Sequence, residues 1–258
     1  MTRGLFSPFA RVTPAQRVVA VGVFWTLVLA GWTLFHHHTA IIPTPVEVAR
    51  SWVELLGQGL LVRLLESYAL NLQAMALAAI LSSVFAYASV VGAFRPAAKL
   101  VSQLRFLGMT GITFVFGMYF SGRGLQVAML VFGVAVFYVT SLLSVVQGVP
   151  SGQLDHARTL RMGPWRTLWE VVVRGTFDQA LDVLRQNAAM GWMMLTMVEG
   201  LVRSQGGVGV MLIDQNRRLN LAGVFALQAS ILAVGIGQDY FLGQLRLLLC
   251  PYSKLRER

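Results

Sequence analysis

Several polar and ionisable side chains lie inside stretches of the sequence that are otherwise apolar. Asp182, Arg185 and Glu199 interrupt residues 179–202, and Asp239 lies late in a second apolar stretch. Ionisable groups are costly in apolar surroundings, so they usually face a protein interior or a solute pathway. Asp182 and Arg185 are three residues apart and are predicted to pair on one helix face. For Glu199 two interpretations stay open, a gating or binding role and a purely structural one.

Residues 179–202 and a further apolar stretch, residues 106–120, also contain candidates for contact with a solute. Their hydroxyl, amide, aromatic and thioether groups are suited to that role, and ordinary helix packing is the alternative for each of them. The candidate pathway set is Thr110, Thr113, Tyr119, Asn187, Trp192, Met194, Thr196 and Glu199.

The residues that catalysis would require are not arranged for it. The histidines, His36–His38 and His156, lie outside the apolar stretches, so no Ser–His catalytic set is predicted within them. The single cysteine excludes a disulfide framework and a cysteine-based metal site. No GxxxxGK(S/T) motif is present to hold nucleotide phosphates. We therefore predict no catalytic residue, no metal site and no cofactor bound by the chain.

The elements that must position the candidate residues are membrane helices. Of 258 residues, 56% are hydrophobic and 12% are charged, about half the charged share of a soluble domain. This composition excludes a soluble globule and intrinsic disorder. It predicts an all-α membrane protein with about six transmembrane helices. The predicted spans are residues 18–35, 68–94, 106–120, 125–147, 179–202 and 221–249.

Residues 46–66 differ from the spans because charges recur along them at roughly helical spacing. This pattern predicts an amphipathic helix that lies at the membrane interface. The chain is thus divided into residues 1–66, with the first span and the interfacial helix, a core of residues 67–249, and a tail of residues 250–258. The core contains a long polar loop, residues 148–177.

The distribution of basic residues predicts the orientation of the spans. The net charge is +10, and 14 of the 21 Lys and Arg lie in the termini and connections of one side, against 6 on the other. The richer side is predicted to be cytoplasmic, which places both termini in the cytoplasm. Topology accounts for the positive charge, and no basic, aromatic-bearing soluble face is present, so nucleic-acid binding is excluded.

The polar loop between the fourth and fifth spans is predicted to fold on the cytoplasmic side. Ser151 follows Pro150 and can cap a helix. The helix is predicted to break near Gly163 and Pro164, before a second helix returns to the membrane. Exposed aromatic residues such as Trp169 among the arginines of this loop are typical of a docking surface for another protein.

This loop resembles the cytoplasmic coupling loop of ABC-importer permeases. The pattern of that family is Glu-Ala-Ala, three residues, Gly, nine residues and Ile-x-Leu-Pro, and Asp155 and Ala157 match the Glu and the second Ala. ARTL and WRTLWEVVV are similar to the nitrate/sulfonate/taurine branch, as are IIPTPVEVARSWVELL and GWMMLTMVEGLVRSQGGVGVMLIDQNRRLN. The resemblance extends from about Ile41 to Leu248.

The chain departs from the family pattern at several positions. His156 replaces the first Ala, and Arg161 stands at the Gly position, two residues before Gly163. Arg174 replaces the Pro, and the third span lacks the prolines that are usual in the branch.

The resemblance implies a MetI-like type I importer permease in the bacterial inner membrane, which forms the pathway for a small solute. A small anion such as nitrate, a sulfonate or taurine is expected, and cyanate and thiamine-precursor pyrimidines stay open. The implied partners are ABC ATPase subunits, which would bind ATP and Mg²⁺, a second permease copy in a homodimer or heterodimer, and an external solute-binding protein. The implied ATPase-coupling residues are Asp155, His156, Ala157, Arg158, Leu160, Arg161, Gly163, Trp165 and Arg166.

Two other classes of protein are weighed against this interpretation. A secondary transporter or channel would work without ATP, but such folds usually show internal repeats or matched broken helices, and the sequence shows none. An intramembrane enzyme would need the catalytic set that the apolar stretches lack.

Overall fold

The computed structural model describes residues 14–38 and 42–251, and this part of the chain is almost entirely helical, without β-strands. Its eleven α-helices are α1 (Pro14–His38), α2 (Pro45–Gly57), α3 (Leu60–Ala88), α4 (Arg95–Gln103), α5 (Met109–Tyr119), α6 (Gly122–Gln147), α7 (Ser151–Thr159), α8 (Pro164–Thr167), α9 (Phe177–Leu201), α10 (Val208–Arg217) and α11 (Leu221–Leu249). A π-helical turn, Leu168–Val173, follows α8. Most of the predicted tail lies outside the described residues.

Three helices, α3, α6 and α11, are long and apolar enough to cross a membrane. A fourth span is counted if Gly92–Phe106 and Met109–Tyr119, which are bent by 111° at the break between them, form one broken span. The predicted first and fifth spans coincide with α1 and α9, but the apolar part of α1, Val18–Thr33, is shorter and α9 is more polar. The protein is therefore all-helical in its described residues, with three or four spans by length and composition.

The predicted interfacial helix is shorter than expected, because the chain breaks at Gly59. α2 begins with a capping box, in which the Glu47 amide donates to Thr44 Oγ1 at 3.2 Å and the Thr44 amide to Glu47 Oε2 at 2.9 Å. It ends at Gly57, and Gly59 adopts the left-handed conformation with φ of 87°. Residues 60–66, predicted to be interfacial, instead form the first two turns of α3.

The predicted third span, residues 106–120, is occupied by one short helix that follows a sharp break in the chain. α5 covers only eleven residues, Met109–Tyr119, and none of them is buried. Before it, Leu107 and Gly108 are extended and separate it from the preceding 3₁₀ turn. Gly108 thus lies at a sharp bend, whereas Gly111 and Gly117 are exposed within α5.

The core is formed by α3, α6, α9 and α11, with α6 between α3 and α9. On α3 small residues recur every four positions, and Ala74, Ala78, Ser82 and Ala86 are fully buried. Small side chains at this spacing allow two helix backbones to approach closely. The approach of α3 to α6 is fixed by the Ser82 hydroxyl, which donates to the carbonyl of Ala135 at 3.1 Å.

We predict that Ala78→Leu destabilises the bundle by about 1–3 kcal/mol, because a larger side chain must separate α3 from α6. Ala76→Leu is the matched control, since Ala76 is exposed on the same helix, and it should change stability by less than about 0.5 kcal/mol. Unfolding of both variants in mixed detergent micelles measures the difference in their free energies of unfolding. Equal losses of stability in the two variants would contradict this packing.

Candidate functional site

The loop between α6 and α9 folds as two short helices followed by the π-helical turn. Pro150 is the N-cap of α7 and no side chain caps this helix, so the predicted capping role of Ser151 is wrong. The predicted break is found at Gly163, whose backbone is extended because a residue before proline disfavours the helical conformation. Pro164 then occupies the first turn of α8, where its missing N–H removes no hydrogen bond.

The end of α7 explains what Arg161 does in this loop. The Met162 amide donates to the Ala157 carbonyl at 3.1 Å, and the Arg161 amide donates to the Arg158 carbonyl at 2.9 Å. This pair of bonds is the Schellman arrangement, which places one residue in the left-handed conformation. Arg161 takes that conformation with φ of 52°. A glycine would adopt it without the steric cost that an arginine incurs.

Eight of the nine predicted coupling residues form the outer surface of this loop, and the ninth, Ala157, is instead buried. Leu160 and Trp165 expose 61% and 74% of their areas, while Ala157 is buried at 2%. Asp155 and Arg158 pair at 2.9 Å, with both side chains exposed. The exposed members of the predicted set are Asp155, His156, Arg158, Leu160, Arg161, Gly163, Trp165 and Arg166.

The inner surface of the loop is attached to the helix bundle. Val172 of the π-helical turn is buried in a cluster that includes Tyr138 and Leu142 of α6. Leu154 of α7 and Leu168 pack against the same cluster. The loop is therefore a folded unit with an apolar inner face and an exposed outer face.

Two ion pairs join α9 to α11 in the half of α9 that follows this loop. Arg185 donates through Nε and Nη2 to the two carboxylate oxygens of Asp239, at 2.7 and 2.8 Å. Arg246 Nη1 donates to Asp182 Oδ1 at 3.2 Å. The predicted pairing of Asp182 with Arg185 is therefore wrong. The carboxylate of Asp239, on the neighbouring helix, accepts a bidentate pair of hydrogen bonds from the planar guanidinium of Arg185. A bidentate pair is stronger than a single contact to Asp182 along α9.

A groove of about 450 Å³ lies between α9 and α11 beside the first ion pair. Its walls include Arg185, Asp239, Gln186 and Gln228, and both glutamines are exposed. The side chains of Arg185 and Asp239 are 37% and 50% exposed. Exposed polar side chains in the middle of a membrane helix are unfavourable against hydrocarbon. On α11, which is long and apolar enough to cross a membrane, this polar face therefore requires water or another protein chain.

The floor of the groove is held by buried polar side chains. Trp192 lines the groove, and its Nε1 donates to Gln238 Oε1 at 2.8 Å. Its indole stacks on Tyr68, with ring centroids 6.2 Å apart. Asn71 Nδ2 donates to the same Gln238 oxygen at 3.4 Å, and Gln238 Nε2 donates to Met75 Sδ at 3.3 Å. Three helices thus fix the orientation of the indole.

The other predicted pathway residues of α9 are not in the groove lining. The Asn187 amide and the Thr196 hydroxyl donate to carbonyls one turn earlier in the same helix, at 2.8 and 2.9 Å. Met194 lies against Gly133 of α6, where a Cβ atom would overlap its sulfur. Trp192 is the member of the predicted set that the structure places in this groove.

The three candidates on α5 are also separate from the groove. Thr110 and Tyr119 are exposed. The Thr113 hydroxyl donates to the carbonyl of Met109 in its own helix at 2.7 Å.

Glu199 occupies a position typical of a structural group. It is 2% exposed, and its two carboxylate oxygens accept from the Ser67 hydroxyl at 2.6 Å and the Gly209 amide at 2.8 Å. The Ser67 oxygen accepts in turn from the Val208 amide at 3.0 Å. The carboxylate thus binds the N-terminus of α10, where negative charge is favourable. Gly207, with φ of 113°, leaves the space that the carboxylate fills.

Sequence reasoning missed three residues that organise these sites. Asn71 and Gln238 hold Trp192, and Ser67 links Glu199 to α10. Each is an uncharged polar residue in a mainly apolar stretch. The charged residues of these stretches were selected because burying a charge is costly, and an amide or a hydroxyl does not give that signal.

No protein-family model and no curated protein matches the chain. The function proposed below therefore depends on the sequence patterns and on the geometry of the loop and the groove.

We predict that the Arg185–Asp239 pair stabilises the fold and that an Asp182–Arg185 pair does not. In a double-mutant cycle of Arg185→Gln and Asp239→Asn, the coupling energy should be about 1 kcal/mol. The matched cycle of Asp182→Asn with Arg185→Gln should give less than half of that value. Unfolding of the single and double variants in detergent measures both coupling energies. A larger coupling energy in the second cycle would instead support an ion pair between Asp182 and Arg185 on α9.

We predict that Arg161→Gly raises the free energy of unfolding by about 0.5–1 kcal/mol, because glycine removes the steric cost of the left-handed backbone. The matched control is Arg158→Gly, the same exchange inside α7, which should lower it by a similar amount. Changes of opposite sign in the free energy of unfolding of the two variants, measured in the same assay, support the assigned end of α7. A lower free energy of unfolding in both variants would contradict it.

Proposed function

We propose that the chain is the transmembrane permease subunit of an ATP-driven ABC importer. In this proposal it has a MetI-like type I fold of about six spans in the bacterial inner membrane, with both termini in the cytoplasm. The observation that carries the proposal is the loop between α6 and α9. It is anchored to the bundle on one face, while the other face exposes Leu160, Trp165, His156, Arg158, Arg161 and Arg166. A folded surface with a large exposed aromatic side chain suits a docking partner.

The partner proposed for this surface is an ABC ATPase that carries ATP and Mg²⁺. The chain itself has no GxxxxGK(S/T) motif, so in this proposal a separate subunit hydrolyses the ATP. The π-helical turn connects the loop to α9, and α9 forms one wall of the groove. A movement of the ATPase would be passed along this connection and would shift the helices between two arrangements.

The pathway is proposed to follow the groove between α9 and α11. Its exposed glutamines and the Arg185–Asp239 pair need water or protein in a bilayer, and a second permease copy together with a hydrated path supplies both. A solute-binding protein on the external side would deliver the solute. A small anion such as nitrate, a sulfonate or taurine is the solute that the family resemblance favours, and the groove has room for one of that size.

A transporter that works without ATP is the second candidate function. The observation that favours it is the presence of two ion pairs, Arg185–Asp239 and Arg246–Asp182, between α9 and α11, of which α11 is long and apolar enough to cross a membrane. Paired ionisable groups of this kind also occur in ion-coupled transporters.

We predict that Trp165→Ala and Arg158→Glu each lower solute-stimulated ATP hydrolysis in the purified complex by about tenfold or more, because they change the docking surface without touching the bundle. Lys99→Glu is the matched control, an exposed basic residue of α4 on the same predicted side. It should keep the stimulation of the unchanged chain.

Co-purification in mild detergent separates the two candidate functions. An ATPase that accompanies the unchanged chain supports the importer, and its absence together with solute uptake in ATP-free vesicles supports the second candidate. Full stimulation by the Trp165 and Arg158 variants would show that the loop does not couple the subunits.

A further inference from the structure

Two cavities of opposite character meet at Arg123, near the N-terminal ends of α3 and α6. One is a small polar cavity of about 130 Å³, whose walls include Glu66, Gln126 and Gln205 as well as Arg123. The other is an open groove of about 550 Å³ between α3 and α6. The groove is lined mainly by Leu77, Ile80, Leu81, Val127 and Val131, and Arg123 lies at its edge.

Arg123 is exposed and forms no ion pair or side-chain hydrogen bond with the described residues. The neighbouring Glu66 instead approaches Arg63, at 3.5 Å in a partly exposed contact. Glu199 is committed to Ser67 and Gly209, so its carboxylate does not neutralise Arg123 directly. The guanidinium is therefore available to an anionic group from outside the chain.

The N-terminus of α6 adds hydrogen-bond donors beside Arg123. Ser121 is the N-cap of this 26-residue helix, and no side chain caps it. The first amides of a helix have no acceptor within the helix and favour anions such as phosphate. Gly122 and Gly124 flank Arg123 in the first turn, and the Gln205 side chain, which also lines the polar cavity, lies against Gly122.

The order of these features along α6 matches the depth profile of a bilayer. A helix of 26 residues is about 39 Å long, and the hydrocarbon layer is about 30 Å thick. Arg123, one residue from the helix end, thus lies near the phosphate level of one leaflet. The apolar groove extends from Gly124 to Val131, which is towards the hydrocarbon.

We propose that this place binds one phospholipid, with its phosphate on Arg123 and the first amides of α6, its headgroup in the polar cavity and one acyl chain in the groove. A polar cavity joined to an apolar groove through a single cation is complementary to an amphiphile that carries a phosphate between its two parts. The carboxylate of Glu66 in the polar cavity favours a headgroup with an ammonium, so phosphatidylethanolamine should bind better than phosphatidylglycerol. The proposal needs only a bilayer and does not depend on an ATPase.

The experiment is native mass spectrometry of the full chain in detergent, titrated with phosphatidylethanolamine or phosphatidylglycerol. We expect one phosphatidylethanolamine to bind with an affinity clearly above that of further lipids. Arg123→Gln should weaken this first binding step about tenfold, since it removes a charge-assisted contact to phosphate. Glu66→Gln should abolish the preference for phosphatidylethanolamine while phosphatidylglycerol still binds.

Ala128→Trp tests the acyl-chain part of the site, because Ala128 lines the groove and an indole there fills it. Ala229→Trp is the matched control on an exposed face of α11, and Arg218→Gln is the matched control for loss of an exposed arginine at the end of α10. Both controls should bind the lipid as the unchanged chain does. If Ala128→Trp does not fold, Arg123→Gln alone still tests the lipid site.

Two results would overturn the proposal. Equal lipid binding by the unchanged chain, Arg123→Gln and Ala128→Trp would show that the lipid merely coats the surface. A change in the ratio of monomer to dimer in Ala128→Trp, without a change in lipid binding, would assign the groove to a second copy of the chain.

Discussion

Polar side chains inside the helix bundle have to find partners within the chain, because hydrocarbon offers no hydrogen bonds. Arg185 and Asp182, which are only partly buried, both pair with α11 rather than with each other. Trp192 meets this requirement through Gln238, which Asn71 also contacts. In each case the partner lies on a different helix, so satisfying one polar group also fixes the relative position of two or three helices.

The same requirement separates structural polar groups from those that need something outside the chain. Glu199 is buried and accepts hydrogen bonds at both oxygens, so its charge is used within the fold. Gln186 of α9 and Gln228 of α11 are exposed beside the groove, inside their helices rather than at the helix ends. Arg123 is exposed at the end of α6 without a partner among the described residues. Groups of the second kind point to the surfaces where water, lipid or another subunit must contact the protein.

The sequence was sufficient to predict elements that depend on local chemistry. Long apolar runs predicted α6 and α11, and Gly163–Pro164 predicted the break in the loop, because hydropathy and proline sterics act within a few residues. It was insufficient for contacts between helices. The pairing of Arg185 with Asp239 spans 54 positions, and no spacing rule along one helix could select it over Asp182. The role of Gln238 was missed for the same reason.

The junction between the loop and α9 determines how a force on the loop would spread. Thr176 donates to the Val172 carbonyl at 2.7 Å, and its hydroxyl shares a hydrogen bond of 3.2 Å with Tyr87 of α3. Tyr138 of α6 donates to the Ala180 carbonyl at 3.0 Å. The start of α9 is thereby bound to both α3 and α6. A displacement of the loop would have to move these helices together or break buried hydrogen bonds, so the exposed face of the loop is mechanically connected to the helix that forms the groove.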